Sequence, residues 1–226
     1  MAEIIITGAS GGIGSALCKV FLDEGHRVFA ISRRVMQTVR HPNLHWMKAE
    51  LSESANISHE VEAWSKGKDL RLLLHNAGYM VRKPAAITEE ADLEELMRVN
   101  VIWPWLLTKA LLPWLSNGIA GHTIYISSMS GFQGSLKYAG LAAYGASKAA
   151  GNAWIESMAA EHGTDDRLYF NALALGAVET PMLRDSIPGS AKGVEVEVMA
   201  KFIFSFAMEG FRVMNGRIVP VSLGNP

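Results

Sequence analysis

Two hydrophobic patterns alternate along the chain. Short apolar runs recur at Ile4–Thr7, Arg27–Ile31, Leu44–Met47, Leu70–His75, His122–Ser127, Leu168–Ala174 and Arg217–Val221. Most are continuous rather than alternating, as in parallel strands covered on both faces. Between them, apolar positions follow helical spacing over Ile13–Glu24, Ile57–Gly67, Glu89–Asn117, Ala143–Glu161 and Val194–Met208. Repeated β-α units predict an α/β fold, with a doubly wound seven-stranded parallel sheet flanked by helices. No linker, low-complexity segment or further repeat interrupts residues 1–226, so a single domain is expected. The loop Pro181–Gly193, with Pro188, Gly189 and Ser190, is the candidate lid.

The first strand leads into Thr7-Gly8-Ala9-Ser10-Gly11-Gly12-Ile13-Gly14 and then a helix. Glycines let the backbone turn sharply and approach a pyrophosphate, while the helix N-terminus offers N–H groups and a positive dipole end. A merely flexible turn is the other reading; the position after the first buried strand favours nucleotide binding. The second strand runs into Ser32-Arg33-Arg34, without the acid that usually accepts the ribose hydroxyls of NAD. A serine and two arginines suit the 2′-phosphate of NADP instead, because arginine grips phosphate through a planar fork. NADP(H) is the expected cofactor, NAD(H) the alternative. A solvated basic loop is the plainer reading of the arginines.

Tyr144 and Lys148 stand four residues apart in a small-residue helix, one above the other on one face. An ammonium beside a phenol favours the phenolate and lowers the phenol's pKa from its reference of about 10. Such a tyrosine can exchange protons near working pH. The spacing alone is not specific. Tyr79 and Lys83 share it, but Pro84 pushes the residue before it out of helical geometry. A surface pair is the competing reading of Tyr144 and Lys148.

Composition narrows the classes. The net charge of −1 gives no basic surface for nucleic acid. A single cysteine, Cys18, excludes an intrachain disulfide framework and reads as a small core hydrophobe in a reducing compartment. The seven histidines show no metal-ligand spacing, so no metal is expected. The first strand begins almost at once, without a signal-peptide pattern. The richest apolar stretch, Val101 to Leu115, is interrupted by Pro104, Lys109 and Pro113. No membrane association and a cytoplasmic location are the expectations.

These motifs, in this order, resemble the short-chain dehydrogenase/reductase family over nearly the whole chain, with its Rossmann fold. The glycine turn matches its cofactor fingerprint, and His75-Asn76-Ala77-Gly78 looks like its Asn-Asn-Ala-Gly motif. Asn100 matches its helix asparagine, Ile126-Ser127-Ser128 the strand ending in its catalytic serine, and Tyr144 and Lys148 its tyrosine and lysine. The resemblance implies a tetrad of Asn100, Ser128, Tyr144 and Lys148. Tyr144 would exchange a proton with the substrate oxygen, and Ser128 would hold that oxygen. Lys148 would bind the nicotinamide ribose and lower the Tyr144 pKa. Asn100 would hold a water beside Lys148. Cofactor contacts would come from Gly8, Ser10, Gly11, Gly12, Ile13 and Gly14, from Ser32, Arg33 and Arg34, and from Glu50 and Leu51 at the adenine. Asn76, Ala77 and Gly78 would brace the cofactor loop, and Gly176, Val178 and Thr180 would meet the nicotinamide. Ser127 rather than Ser128 could face the site, because neighbours on a strand point opposite ways.

The chain departs from the family pattern in places. Sixteen positions separate Ser128 from Tyr144, a few more than the family's commoner gap, so Gly131–Ala142 either reshapes the pocket or forms a surface bulge. Leu175 stands where the family usually has proline, and the usual glycine pair after the last strand is missing. The short lid and C-terminal part suggest an open pocket and a small or permissive substrate. Trp103, Trp105 and Trp114 are expected to pack, in the core or across a subunit contact. The resemblance implies a homodimer or homotetramer. The expected activity is interconversion of a ketone or aldehyde and an alcohol. The main rival is an NADP-binding regulatory or redox-sensing protein with little turnover; a nucleotide-sugar epimerase or dehydratase and an enoyl reductase fit less well.

Overall fold

Seven parallel strands form one sheet in the order β3-β2-β1-β4-β5-β6-β7. They are β1 (Glu3–Thr7), β2 (Arg27–Ser32), β3 (Leu44–Lys48), β4 (Leu70–His75), β5 (Gly121–Ser128), β6 (Leu168–Leu175) and β7 (Arg217–Val221). The helices are α1 (Gly12–Asp23), α2 (Ser54–Ser65), α3 (Glu90–Met97), α4 (Trp103–Leu115), α5 (Ala142–Glu161), α6 (Pro181–Ser186) and α7 (Val196–Glu209). The computed structural model describes residues 1–35, 40–116, 120–163, 167–186 and 193–224.

The continuous apolar strands have the expected cause, since both faces of the sheet are covered. Ile4, Ile6, Val28, Ala30, Leu72, Leu74, Ile124 and Ile126 point to one side, against Leu17, Cys18 and Phe21 of α1 and Ile203 and Phe206 of α7. Ile5, Phe29, Leu73 and Tyr125 point to the other, against Ile57 and Val61 of α2, Leu107 and Leu111 of α4 and Trp154 and Ile155 of α5. Alternate residues thus feed two cores. Cys18 is buried, and burial pushes its thiol up to about 12, which keeps it an unreactive core side chain.

The helix expected over Glu89–Asn117 is instead broken into α3, a π turn at Arg98–Ile102, and α4. The physical cause lies in Pro104. Proline lacks the N–H that would close an α-helical turn onto the carbonyl four residues back, which here belongs to Asn100. Tyr125 Oη donates to that carbonyl at 2.9 Å from the adjacent strand. The last residue of the expected helix, Asn117, lies outside the described residues.

The candidate lid is partly helical, as α6, and its residues 187–192 lie outside the described ones. Beyond them, Val194 forms a parallel bridge to Val178.

Candidate active site

The strands deliver their following loops to one end of the sheet, at the carboxyl ends of the strands. In the first, Gly8 has φ +64°, and a Cβ there would fall 2.7 Å from Ala77 Cα. A Cβ at Gly14 would meet Gly8 O at 2.2 Å and Asn76 Nδ2 at 2.7 Å. Only glycine permits this approach. Asn76 Nδ2 donates to Thr7 O and Gly8 O, each at 3.1 Å, and Ala77 N donates to Thr7 Oγ1 at 3.1 Å. Asn76 and Ala77 therefore brace the turn. Gly11 is exposed, no side chain caps α1, and the first-turn amides of Gly12, Ile13 and Gly14 point from its start. Ser10 sits half-buried beside them. A glycine cradle ending on an uncapped helix N-terminus fits the pyrophosphate of a dinucleotide.

Arg33 and Arg34 are exposed where β2 ends. Ser32 is buried, and its hydroxyl donates to Arg34 O, so it shapes that turn from within. Glu50 and Leu51, the expected adenine contacts, open the turn after β3. Glu50 accepts from the backbone of Glu53, whose carboxylate takes Glu50 N–H at 2.9 Å, a reciprocal cap on the turn Leu51–Glu53. Leu51 is buried in the core beneath α2 and α4.

Beyond β6, Gly176 closes onto β7, where a Cβ would fall 2.5 Å from Ser222 Oγ. Val178 is buried. Thr180 Oγ1 accepts from Leu183 N at 3.2 Å and starts α6, while its methyl lies 3.0 Å from where Gly12 would carry a Cβ. Thr180 thus meets the first glycine turn across the mouth of the cleft.

Ser128, Tyr144, Lys148 and Asn100 converge. Tyr144 is 9% and Lys148 4% exposed. Ser128 lies beside Tyr144 and works against burial by lowering its pKa, and the Ser128 hydroxyl accepts from Ser130 N at 3.1 Å. Ser127 is buried with no partner for its Oγ among the described residues. The second serine is the one that reaches Tyr144. Lys148 Nζ donates to Ile126 O at 2.9 Å and lies 4.7 Å from the Tyr125 ring centroid and 5.9 Å from that of Tyr144. A Cβ on Gly78 would be 3.4 Å from Lys148 Nζ and 3.5 Å from Asn100 Oδ1, so glycine leaves room between them. Lys83, by contrast, pairs with Asp92 at 2.6 Å, and Tyr79 lies in a loop.

Two expectations change here. Burial pushes the Tyr144 phenol up to about 12, with the Ser128 hydrogen bond pulling the other way. Burial pulls the Lys148 ammonium down to about 7. In the protein alone, desolvation outweighs the anticipated help from Lys148, which is itself only partly charged at neutral pH. The second change concerns Asn100. Tyr79 N donates to its Oδ1, and its Nδ2 donates to Tyr79 O and Ser147 Oγ, all at 2.9 Å. Both amide hydrogens are committed, and its main-chain carbonyl accepts from Tyr125. Asn100 ties Tyr79 to α5 rather than presenting a free amide to water beside Lys148.

Three neighbours were not among the expected site residues. Tyr125 lies under the Lys148 ammonium in a cation–π contact. His75 Nε2 is 2.7 Å from Thr108 Oγ1; burial and the nearby Lys148 charge pull it down to about 3, so it is neutral. Gly151 admits the Tyr125 ring, which a Cβ would meet at 2.5 Å. The small residues of α5 were the available signal for such close approach. No group of His, Cys, Asp and Glu among the described residues could hold a metal ion.

The chain is similar to known proteins over most of its length. The family model described as short chain dehydrogenase matches residues 2–190. A Drosophila melanogaster protein, "Dehydrogenase/reductase SDR family protein 7-like", is 30% identical over 203 residues, which cover 83% of this chain and 60% of that protein. The chain thus spans less than two thirds of that relative. The solved structure "ElxO with NADP Bound" superimposes with a TM-score of 0.84 at 21% identity, covering 98% of this chain and 97% of the other. "4-hydroxyisoleucine dehydrogenase complexed with NADH" gives 0.78 at 23%, covering 98% and 96%.

Proposed function

From its place as a member of the short-chain dehydrogenase family, we propose that this chain is an NADP(H)-dependent oxidoreductase interconverting a ketone or aldehyde and an alcohol. The observation that carries this reading is the placement of the half-buried Ser128 beside the buried Tyr144, with Lys148 buried on the same helix face. The glycine cradle and the uncapped start of α1 would hold the pyrophosphate. Arg33 and Arg34 would meet a 2′-phosphate; structural neighbours bound to NADP and to NADH support the nicotinamide class. When bound, the cofactor supplies or accepts the hydride.

The chain's own residues handle the proton and the polarity. Tyr144, protonated well above neutral pH, gives its proton to the carbonyl oxygen in the reductive direction. Ser128 donates a hydrogen bond to the same oxygen as charge develops on it. Lys148 holds the ribose hydroxyl and, once charged, stabilises the phenolate left behind. Asn100 acts at one remove, by fixing the backbone of Tyr79 at the cleft wall. The exposed apolar residues Leu93, Met97, Ile102, Trp105 and Leu106 along α3 and α4 support a homodimer or homotetramer. Among the described residues no helix is long and apolar enough to cross a membrane.

The test is NADPH consumption against aldehydes, diketones, quinones and keto-esters, with Tyr144→Phe beside the wild type. The variant should lose about a hundredfold to ten-thousandfold in turnover, the range for a general acid, and keep its NADPH affinity. Equal turnover would remove Tyr144 from the chemistry. NADPH binding with no turnover on any carbonyl would favour a regulatory, cofactor-sensing protein.

A further inference from the structure

The residues that lengthen the gap between Ser128 and Tyr144 fold around a single cation. Lys137 Nζ donates to Phe132 O at 2.5 Å, Ser135 Oγ at 2.8 Å and Ser130 O at 2.9 Å, with Met129 O at 3.4 Å. Lys137 is exposed, and its three ammonium hydrogens face neutral oxygens; among the described residues no carboxylate pairs with it. Ser135 Oγ also bonds to Met129 O and Phe132 O, so it ties the cage together. A compact ammonium with three donors suits such a nest, whereas a planar guanidinium does not.

The caged turn is the one that holds the serine at the site. Ser130 N donates to Ser128 Oγ, while Ser130 O accepts from Lys137. The same carbonyl lies against α5 directly after Tyr144, since a Cβ on Gly145 would fall 2.7 Å from it. One peptide segment therefore touches the Ser128 hydroxyl, the Lys137 ammonium and the helix carrying Tyr144. The longer spacing gives the chain enough length to fold a lysine back onto this turn. We propose that Lys137 is a positioning residue, a tethered monovalent cation that closes the turn Met129–Gly131 and aims the Ser128 hydroxyl at Tyr144. This rests on the reading of Ser128 and Tyr144 as the reacting pair.

The experiment empties the cage and refills it. Lys137→Ala should lower turnover by about tenfold to a hundredfold, the scale of a small misplacement at a reacting centre, with NADPH affinity unchanged. Ammonium or methylammonium chloride should restore much of it, and tetramethylammonium chloride, which has no N–H to donate, should not. Lys137→Met, which keeps the stem and omits the charge, should show the same loss if the alanine variant folds poorly. Wild-type turnover in both variants, or equal restoration by all three salts, would overturn the proposal. Amide hydrogen exchange across Met129–Phe132 reads the cage without any reaction. Faster exchange in Lys137→Ala, slowed again by ammonium, supports the cage; unchanged exchange overturns it. If the wild type reduces no carbonyl while exchange responds as expected, the catalytic reading fails and the cage stands.

Discussion

At the scale of single residues, chemistry is decided by what surrounds each side chain. Tyr144 and Lys148 stand out in the sequence only when their spacing is read with the surrounding motifs, and burial drives their protonation in opposite senses, towards neutral phenol and neutral amine. A charge brought close by a bound cofactor would meet a site that has few of its own. Arg33 follows a simpler rule. It is exposed, so its contribution should appear as selectivity rather than stability. Arg33→Ala should weaken NADPH by roughly tenfold, the loss of one charge-assisted hydrogen bond, and leave NADH nearly unchanged; titration of both cofactors by fluorescence checks this. An equal loss for both would remove the arginine from 2′-phosphate recognition. The role of Ser128 over Ser127 could not be chosen from strand alternation alone, because the local turn after β5 decides which hydroxyl reaches α5.

At the scale of elements, the recurrent theme is close approach. β1 and β4 meet through Gly8, Gly14 and Asn76, and β5 meets α5 through Gly151 and Tyr125. Gly151→Ala places a methyl 2.5 Å from the Tyr125 ring. The ring then has to leave its place under Lys148 and its bond to Asn100 O. The variant should lose about 1–3 kcal/mol, the usual cost of overpacking, read from the urea midpoint, and its turnover should fall with it. Unchanged stability would mean that the ring yields freely. Strand ends were legible to within a residue or so because buried parallel strands carry continuous apolar runs. The break between α3 and α4 was not read from the pattern, although Pro104 was visible, because a proline near a helix start and a proline inside a helix look alike until the carbonyl it leaves unpaired is located.

At the scale of the whole molecule, two buried histidines link folding to pH. Burial is the main cause for both; it pulls His75 to about 3, helped by the Lys148 charge, and His122 to about 4, against the bond to Ala207 O. Each is neutral when folded and takes a proton near 6.5 when unfolded. Their stabilising contribution is therefore present above about pH 6.5 and lost as pH falls towards 4 and 3. The urea midpoint should drop across this window, and His122→Asn, though less stable at neutral pH, should show a shallower drop. Parallel pH profiles for the two proteins would remove His122 from the linkage. The sequence by itself determined the sheet, the glycine turn and the choice of four candidate site residues, since each is written in local spacing, in motif order or in the alternation of strand and helix. Only the tertiary structure decided that Asn100 is held by Tyr79, Ser147 and Tyr125, that Glu50 caps its own turn, that Lys148 sits desolvated over Tyr125, and that Lys137 returns to the turn beside Ser128. Those contacts join residues distant in the chain or folded back through a loop, and their energies come from burial and direction, which no spacing in one dimension encodes.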